Sequence, residues 1–293
     1  MIVNMEWYRV FYWTAKTGSL SRAAEQLFIT QPAVTHTIKQ LEAKLGGPLF
    51  FRMAKGVKLT AEGEVLYRYI EQAYRFMETG EKMLAEMHNL QSGEISIGAS
   101  DTLCRHYLLP YLEKFHADYP EIRIRVTNRT TPETIALLKA GQIDFGIVHM
   151  PASDSKLVFR ASHPLQDILV CGRAYTTEPT GPSMQLEELA AQPLLLLEKG
   201  AGTRGYLDEY AESHGVKLSP ELELGSFDLL AQFAHSGFGL AFLIREYIKD
   251  ELASGALVEI PLIPPIPARS IGIATLRGVP QSAAAKRFLE LLP

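Results

Sequence analysis

"ITQPAVTHTIKQLEAKLG", residues 29–46, carries one apolar stripe, Val34, Ile38, Leu41 and Leu45, at steps of four, three and four. That is the period of a helix lying on a core. Its other face holds Gln31, Thr35, His36, Lys39 and Gln40, rich in hydrogen-bonding groups and short of carboxylates. Upstream, "GSLSRAAEQLF" predicts a shorter helix: Gly18 breaks the helix before it, Ser19 or Ser21 can cap it, and Ala24 and Leu27 face inward. Thr30 can cap the quoted helix, with Pro32 tolerated in its first turn. Two short helices meeting through a tight turn at Phe28–Thr30 make a helix-turn-helix, whose second helix enters the DNA major groove by its N-terminal residues. Small Ala24 suits the helix crossing, and Leu27, Ile29, Val34 and Ile38 are expected inside. Phe28 stands at a turn position where such motifs often carry Gly, so this turn must manage without Gly's freedom at positive φ.

Next, "GGPLFFRMAKGVKLTAEG" holds two β-prone runs, around Leu49–Met53 and Val57–Leu59, flanking a basic, Gly-containing turn. This reads as a hairpin wing. Thr60 then caps a long helix in which Leu66, Ile70, Ala73, Met77, Gly80, Leu84 and Met87 alternate steps of four and three. Such an a/d seam predicts a helix that pairs with a second copy, as two DNA half-sites require. From Glu94 onward, strand-like runs ("EISIGAS", "IRIRVTN", "DFGIVHM", then "DILVCGR", "PLLLLEK", "LELGS", "GLAFL", "LVEI", "SIGIATL") alternate with amphipathic ones. That alternation argues an α/β body with mostly parallel sheets. "ASHP" (161–164) and "PLIPPIPARS" (261–270) interrupt it twice, which suggests a second subdomain inserted into the first through two crossovers.

Charge divides the chain in the same way. Residues 1–60 hold eight Lys/Arg against three acids, whereas the remainder holds 21 basic and 30 acidic residues, for a net charge of −4. A basic module on an acidic body places the polyanion partner on the first sixty residues. No run approaches 18 uninterrupted apolar residues, the N-terminus lacks a secretory pattern, and there are two cysteines, Cys104 and Cys171. These features argue for no membrane span, no disulfide framework and a cytoplasmic location.

The stretch "GSLSRAAEQLFITQPAVTHTIKQLEAKLGGPLFFR…LTAEG" resembles the amino-terminal signature of the LysR-type transcriptional regulators, and the layout of the rest follows that family. The resemblance implies an α/β fold class with an all-α-dominated N-terminal domain. Residues 1–60 would form a winged helix-turn-helix and 61–91 a linker and dimerisation helix through Leu66, Ile70, Ala73, Met77 and Leu84. Residues 92–293 would form a periplasmic-binding-protein-like effector domain, divided into 92–162 plus 267–293 and 163–266. It implies a homodimer, assembled into a tetramer, on an interrupted palindromic operator in double-stranded DNA, and a small-molecule effector between the subdomains. Gln31, Pro32, Thr35 and His36 fall on the family's base-facing positions, and Lys39 and Arg52 on backbone contacts; His36 stands where Arg is usual. Ser100, Thr102, Thr131 and Thr203 match positions that line the effector cleft.

The residues themselves support that cleft. "GASDTLCRHY", "NRTTPET" and "EKGAGTRGY" each follow a strand, where ligands of open α/β folds sit, and helix starts favour anions. The effector is therefore expected to be anionic, with Asp101 turned away or paired with a cation and Arg204 either adding charge or exposed. Gly200, Gly202 and Gly205 spell a G-x-G-x-x-G with Glu221 and Glu223 beyond it, so an NAD-dependent oxidoreductase is the alternative. A subdomain of about a hundred residues leaves little room for that fold, and regulator rather than enzyme is the reading, without cofactor. Cys104, at a helix start, could have a lowered thiolate pKa, but packed, inert thiols are the expectation for both cysteines. The histidines show no metal spacing, and no G-x-S-x-G nucleophile context occurs.

Overall fold

The computed structural model describes residues 4–53, 55–88, 93–173, 175 and 183–293, with the side chains of 82–83 and 85–88 left out. The chain divides into two compact units, Met1–Leu84 and Ala85–Pro293. In the first, α1 (Met5–Thr17), α2 (Leu20–Leu27) and α3 (Gln31–Leu45) precede a hairpin, β1 (Phe50–Arg52) and β2 (Val57–Leu59), and α4 (Ala61–His88). Local chemistry sets the boundaries. Asn4, Ser19 and Thr30 accept backbone N–H groups at the starts of α1, α2 and α3, and Gly18 and Gly46 take left-handed conformations at the ends of α1 and α3. Phe28 ends α2 at φ +57°, the one non-Gly residue described at positive φ, with its ring 95% exposed. The wing is pinned to the helices by the Val57 N–H to the Gly18 carbonyl at 2.9 Å. A Cβ at Gly56 would lie 2.3 Å from that carbonyl oxygen, so only Gly fits.

Val10, Phe11, Ala23, Ala24, Leu27, Val34, Ile38, Leu41, Leu49 and Phe50 form the core of this unit. Two expected core residues are outside it: Ile29 is 37% and Leu45 46% exposed. Ile29 lies in the turn just past the left-handed Phe28, and Leu45 in the last position before Gly46, where the helix overhangs the core. The seam also splits. Leu66 and Ile70 pack with Tyr67 on the unit's own core, while Ala73, Met77, Gly80 and Leu84 are exposed. Tyr12, stacked on both Tyr67 and Tyr74, fixes that rotation of α4. The exposed apolar line therefore starts from Val65 and Tyr69 rather than from Leu66 and Ile70. The side chain of Met87 and the expected boundary at 91/92 lie outside the described residues.

The second unit runs β3 (Gly93–Ala99), α5 (Asp101–Leu103), a π-helical turn (Cys104–Leu108), α6 (Leu109–Asp118), β4 (Ile122–Asn128), α7 (Thr131–Lys139), β5 (Phe145–His149), β6 (Leu157–Leu165) and β7 (Asp167–Gly172). It continues with β8 (Met184–Gln185), β9 (Leu194–Leu197), α8 (Gly202–Ser213), β10 (Leu222–Leu224), α9 (Phe227–His235), β11 (Leu240–Ile244) and α10 (Lys249–Ala253). It closes with β12 (Leu257–Ile260), β13 (Leu262–Ile263), β14 (Arg269–Leu276) and α11 (Ala283–Leu289). Two five-stranded sheets result, ordered β4-β3-β5-β14-β6 and β10-β9-β11-β7-β12. Each is mixed rather than mostly parallel: β3, β4 and β5 are parallel, as are β9, β10 and β11, but β14 and β7 enter antiparallel. The first crossover falls at Gln166, not at "ASHP", because β6 runs on through Leu165. Pro164 is tolerated there because β6 is an edge strand. Gln166 Nε2 donates to the Ile266 carbonyl at 2.9 Å, tying the two crossovers together. No described helix is long and apolar enough to cross a membrane.

Candidate functional site

The outward face of α3 is built for an anionic partner. Gln31, Pro32, His36 and Lys39 are exposed, Thr35 is half-buried, and Gln31 Nε2 donates to Thr35 Oγ1 at 3.1 Å. The one acid of α3, Glu42, is turned away: its carboxylate accepts the Leu49 and Phe50 N–H groups at 2.8 and 3.3 Å. That bond docks the wing and keeps negative charge off the exposed face. Arg52 is exposed at the end of β1. Phe51 and Met53 beside it are also exposed, as is Phe28 at the motif's turn. An apolar side chain carries no charge pattern, so the sequence marked Phe28 only as an unusual turn residue and did not single out Phe51 or Met53.

In the second unit, the loops after β3, β4 and β9 present the expected hydroxyls, each except Thr102 with a backbone or side-chain partner among the described residues. Ser100 caps α5 by accepting the Leu103 N–H at 3.3 Å. Thr102 is half-buried beside it. Thr131, the first residue of α7, accepts the His149 N–H at 3.2 Å. Thr203, in the first turn of α8, is buried and accepts from Arg269 Nη2 at 2.9 Å. A Cβ at Gly202 would lie 3.4 Å from Thr131 Oγ1, so the two walls meet there and bring Thr131 and Thr203 together. Ser100 and Thr102 have no contact with that pair among the described hydrogen bonds. Asp101 accepts from Asn128 Nδ2 at 3.2 Å on the exposed side.

Arg204 neither lines the cleft nor faces solvent. Its side chain is 3% exposed and donates to Asp208 at 2.9 Å, to Glu223 at 2.6 Å and to the Leu197 carbonyl at 2.8 Å. This bolts α8 to the second sheet and engages one of the acids a ribose would have needed. Cys104 is no activated thiolate: burial, with Asp101 adding to it, pushes its thiol up to about 11, and burial also raises Cys171. No cluster of three or more His, Cys, Asp or Glu suited to a metal occurs among the described residues.

The strongest electrostatic feature was missed from the sequence. Arg269, the first residue of β14, pairs with Asp167, the first residue of β7, at 2.5 Å (Nε–Oδ2) and 2.9 Å (Nη2–Oδ1). Their side chains are 2% and 0% exposed. Burial raises the Asp167 carboxyl, and the adjacent guanidinium opposes that rise. Arg269 also lies over the Tyr206 ring at 5.0 Å. Burial, then Arg269, pushes His149 down to about 3, so its imidazole is neutral. A usable signal existed: the inserted segment is bracketed by opposite charges, an acid just after one crossover and Arg just after the other. Next to this pair, Tyr247 stacks on His106 at 4.5 Å, and Arg105 pairs with Asp228.

Comparison with known proteins places these features in one family. The family model described as LysR substrate binding domain matches residues 88–293, and the bacterial regulatory helix-turn-helix protein, lysR family, matches residues 5–64. The chain is 28% identical over 291 residues to the uncharacterized HTH-type transcriptional regulator YeiE of Escherichia coli (strain K12), covering 99% of this chain and 97% of that one. Full-length OxyR from Pseudomonas aeruginosa has the same fold, with a TM-score of 0.64, 20% identity, and 99% and 93% of the two chains covered. The regulatory domain of CcmR from Synechocystis, solved in complex with 2-PG, matches with a TM-score of 0.61 and 20% identity over 68% of this chain and 95% of that one. The relatives are regulators rather than oxidoreductases, and this chain belongs to the LysR family of DNA-binding transcriptional regulators.

Proposed function

We propose that this regulator reads its operator through Gln31, Pro32, Thr35 and His36, with Lys39 and Arg52 on phosphates, and responds to a small anionic effector held between Thr131 and Thr203. The observation that carries the DNA assignment is the acid-free exposed face of α3, left so by the engagement of Glu42 with the wing. For the effector, the convergence of α7 and α8 counts most: both helix starts offer N–H groups and a positive dipole end where the subdomains meet. Ser100 and Thr102 extend the same rim. CcmR, a neighbour of this fold, was solved with 2-PG, which supports a small-molecule ligand here. An anion bridging the two walls binds the closed form better than the open one, and that difference is what a ligand needs to shift the regulator's state. The exposed line through Ala73, Met77 and Leu84 is the pairing surface of a homodimer, two of which would span an interrupted palindrome as a tetramer. This reading places the protein in the cytoplasm.

The test is a mobility shift on operator and random DNA. Gln31→Ala and Thr35→Ala should each weaken operator binding by about 1–3 kcal/mol while sparing random DNA. Equal losses on both would remove these residues from the base edges.

A further inference from the structure

Of the four buried side-chain polar atoms without a hydrogen-bond partner among the described residues, three gather at one guanidinium, one of them its own Nη1; the fourth, His106 Nε2, stands 3.7 Å from the Asp228 carboxylate. The three are Arg269 Nη1, His149 Nδ1 and Tyr247 Oη. They come from three elements, β14, β5 and the 3-10 turn Arg245–Tyr247 after β11. His149 pairs with Ile271 across β5 and β14, two residues along from Arg269, so both side chains share one sheet face. Both Arg269 and Asp167 lie close enough to Tyr247 for their charges to bear on its phenol, which burial pushes upward. Native interiors seldom leave such groups unmatched, and three together mark a place that expects an occupant.

The chemistry of the occupant follows from a count of donors. Arg269 Nε and Nη2 are spent on Asp167 and Thr203, which leaves the two N–H groups of Nη1. The phenol of Tyr247 donates as well, and the neutral imidazole of His149 can do either. Asp167 already balances the charge of Arg269, so a dipolar oxygen suits this floor better than a second full charge. The full charge belongs at the rim, against Thr131 and the starts of α7 and α8.

We propose that Arg269 Nη1, Tyr247 Oη and His149 Nδ1 form the floor of the effector cleft and bind a hydroxyl or carbonyl oxygen of the ligand, making the effector a small hydroxy or oxo acid rather than a plain anion. The inference rests on the cleft reading above and adds the class of ligand to it. The floor also explains coupling to closure. His149 belongs to the first subdomain and Tyr247 and Thr203 to the second, while Asp167 and Arg269 follow the two crossovers. A ligand filling the floor therefore touches both bodies and both connections.

Calorimetry on the full-length protein can test this with glycolate, lactate and pyruvate set against acetate, propionate and inorganic phosphate. The wild type should bind at least one hydroxy or oxo acid tenfold or more tightly than its plain counterpart. Tyr247→Phe removes an oxygen that has no partner in the fold, so its melting temperature should hold or rise. The same variant should erase the tenfold preference and leave the plain acid unaffected. Absence of a preference in the wild type, or its persistence in Tyr247→Phe, would mean that the floor holds water only, and would overturn the proposal. Thr131→Val, run beside it, separates the two levels. If Thr131→Val weakens the acids and Tyr247→Phe does not, the floor alone is wrong. If neither changes binding, the cleft reading falls as well.

Discussion

Replacing Arg269 with Met is the sharpest perturbation this fold offers. The guanidinium is 2% exposed and holds Asp167, which is 0% exposed, through two hydrogen bonds. Removing one partner of a buried ion pair leaves an uncompensated charge and costs about 3–5 kcal/mol. Loss of the bond to Thr203 adds about 1 kcal/mol. At roughly 2–4 °C per kcal/mol for a domain of this size, the combined loss should shift thermal unfolding down by roughly 8–24 °C. Two further measurements identify the cause. In the variant the lone buried Asp167 has a folded pKa raised above the unfolded value of about 3.9. A raised pKa favours folding below the unfolded value and loses that benefit as pH rises, so the deficit should shrink as the pH falls toward about 4. The double variant Asp167→Leu with Arg269→Met should recover most of the loss, since a well-packed apolar pair of similar volume is often as stable as the ion pair it replaces. Circular dichroism with heat and urea, for each single and double variant, reads all three. A single-variant loss below about 1 kcal/mol, or one independent of pH, would show that water reaches the pair and would refute the reasoning.

Arg52→Ala should weaken binding to all DNA sequences and lower the salt slope by about one unit, read by titration at several salt concentrations. Along α4, Met77→Lys should break the dimer in sedimentation while leaving the first unit folded. Ile70→Lys should instead destabilise that unit itself, because Ile70 packs against its core. Phe28→Gly should raise the stability of the first unit by about 1 kcal/mol, since a 95%-exposed ring loses no packing and Gly relieves a left-handed position. With its thiol near 11, Cys104 should react with iodoacetamide far more slowly than free cysteine at pH 8.

How far the sequence reaches depends on the range of the interaction. The caps at Ser19 and Thr30, the inner stripe Val34–Ile38–Leu41, the wing and the strand–helix alternation were all legible, because each is a matter of neighbours within a turn or a strand. The hydroxyls Thr131 and Thr203 were legible too, as helix starts following strands. Periodicity, however, names a face without saying what covers it. It put Leu66, Ile70, Ala73 and Met77 on one seam, whereas the Tyr12 stack turns the first two into the unit's own core and leaves the others outside. Arg204 and Arg269 look alike as letters near a glycine loop and a proline-rich crossover. Beyond the local pair with Asp208 one turn along α8, tertiary contacts made one a bolt to Glu223 and the other a buried partner of Asp167, 102 residues away. The desolvation that gives such a pair its weight arises only when the chain closes around it, so it is a property of the fold and not of any local stretch of residues.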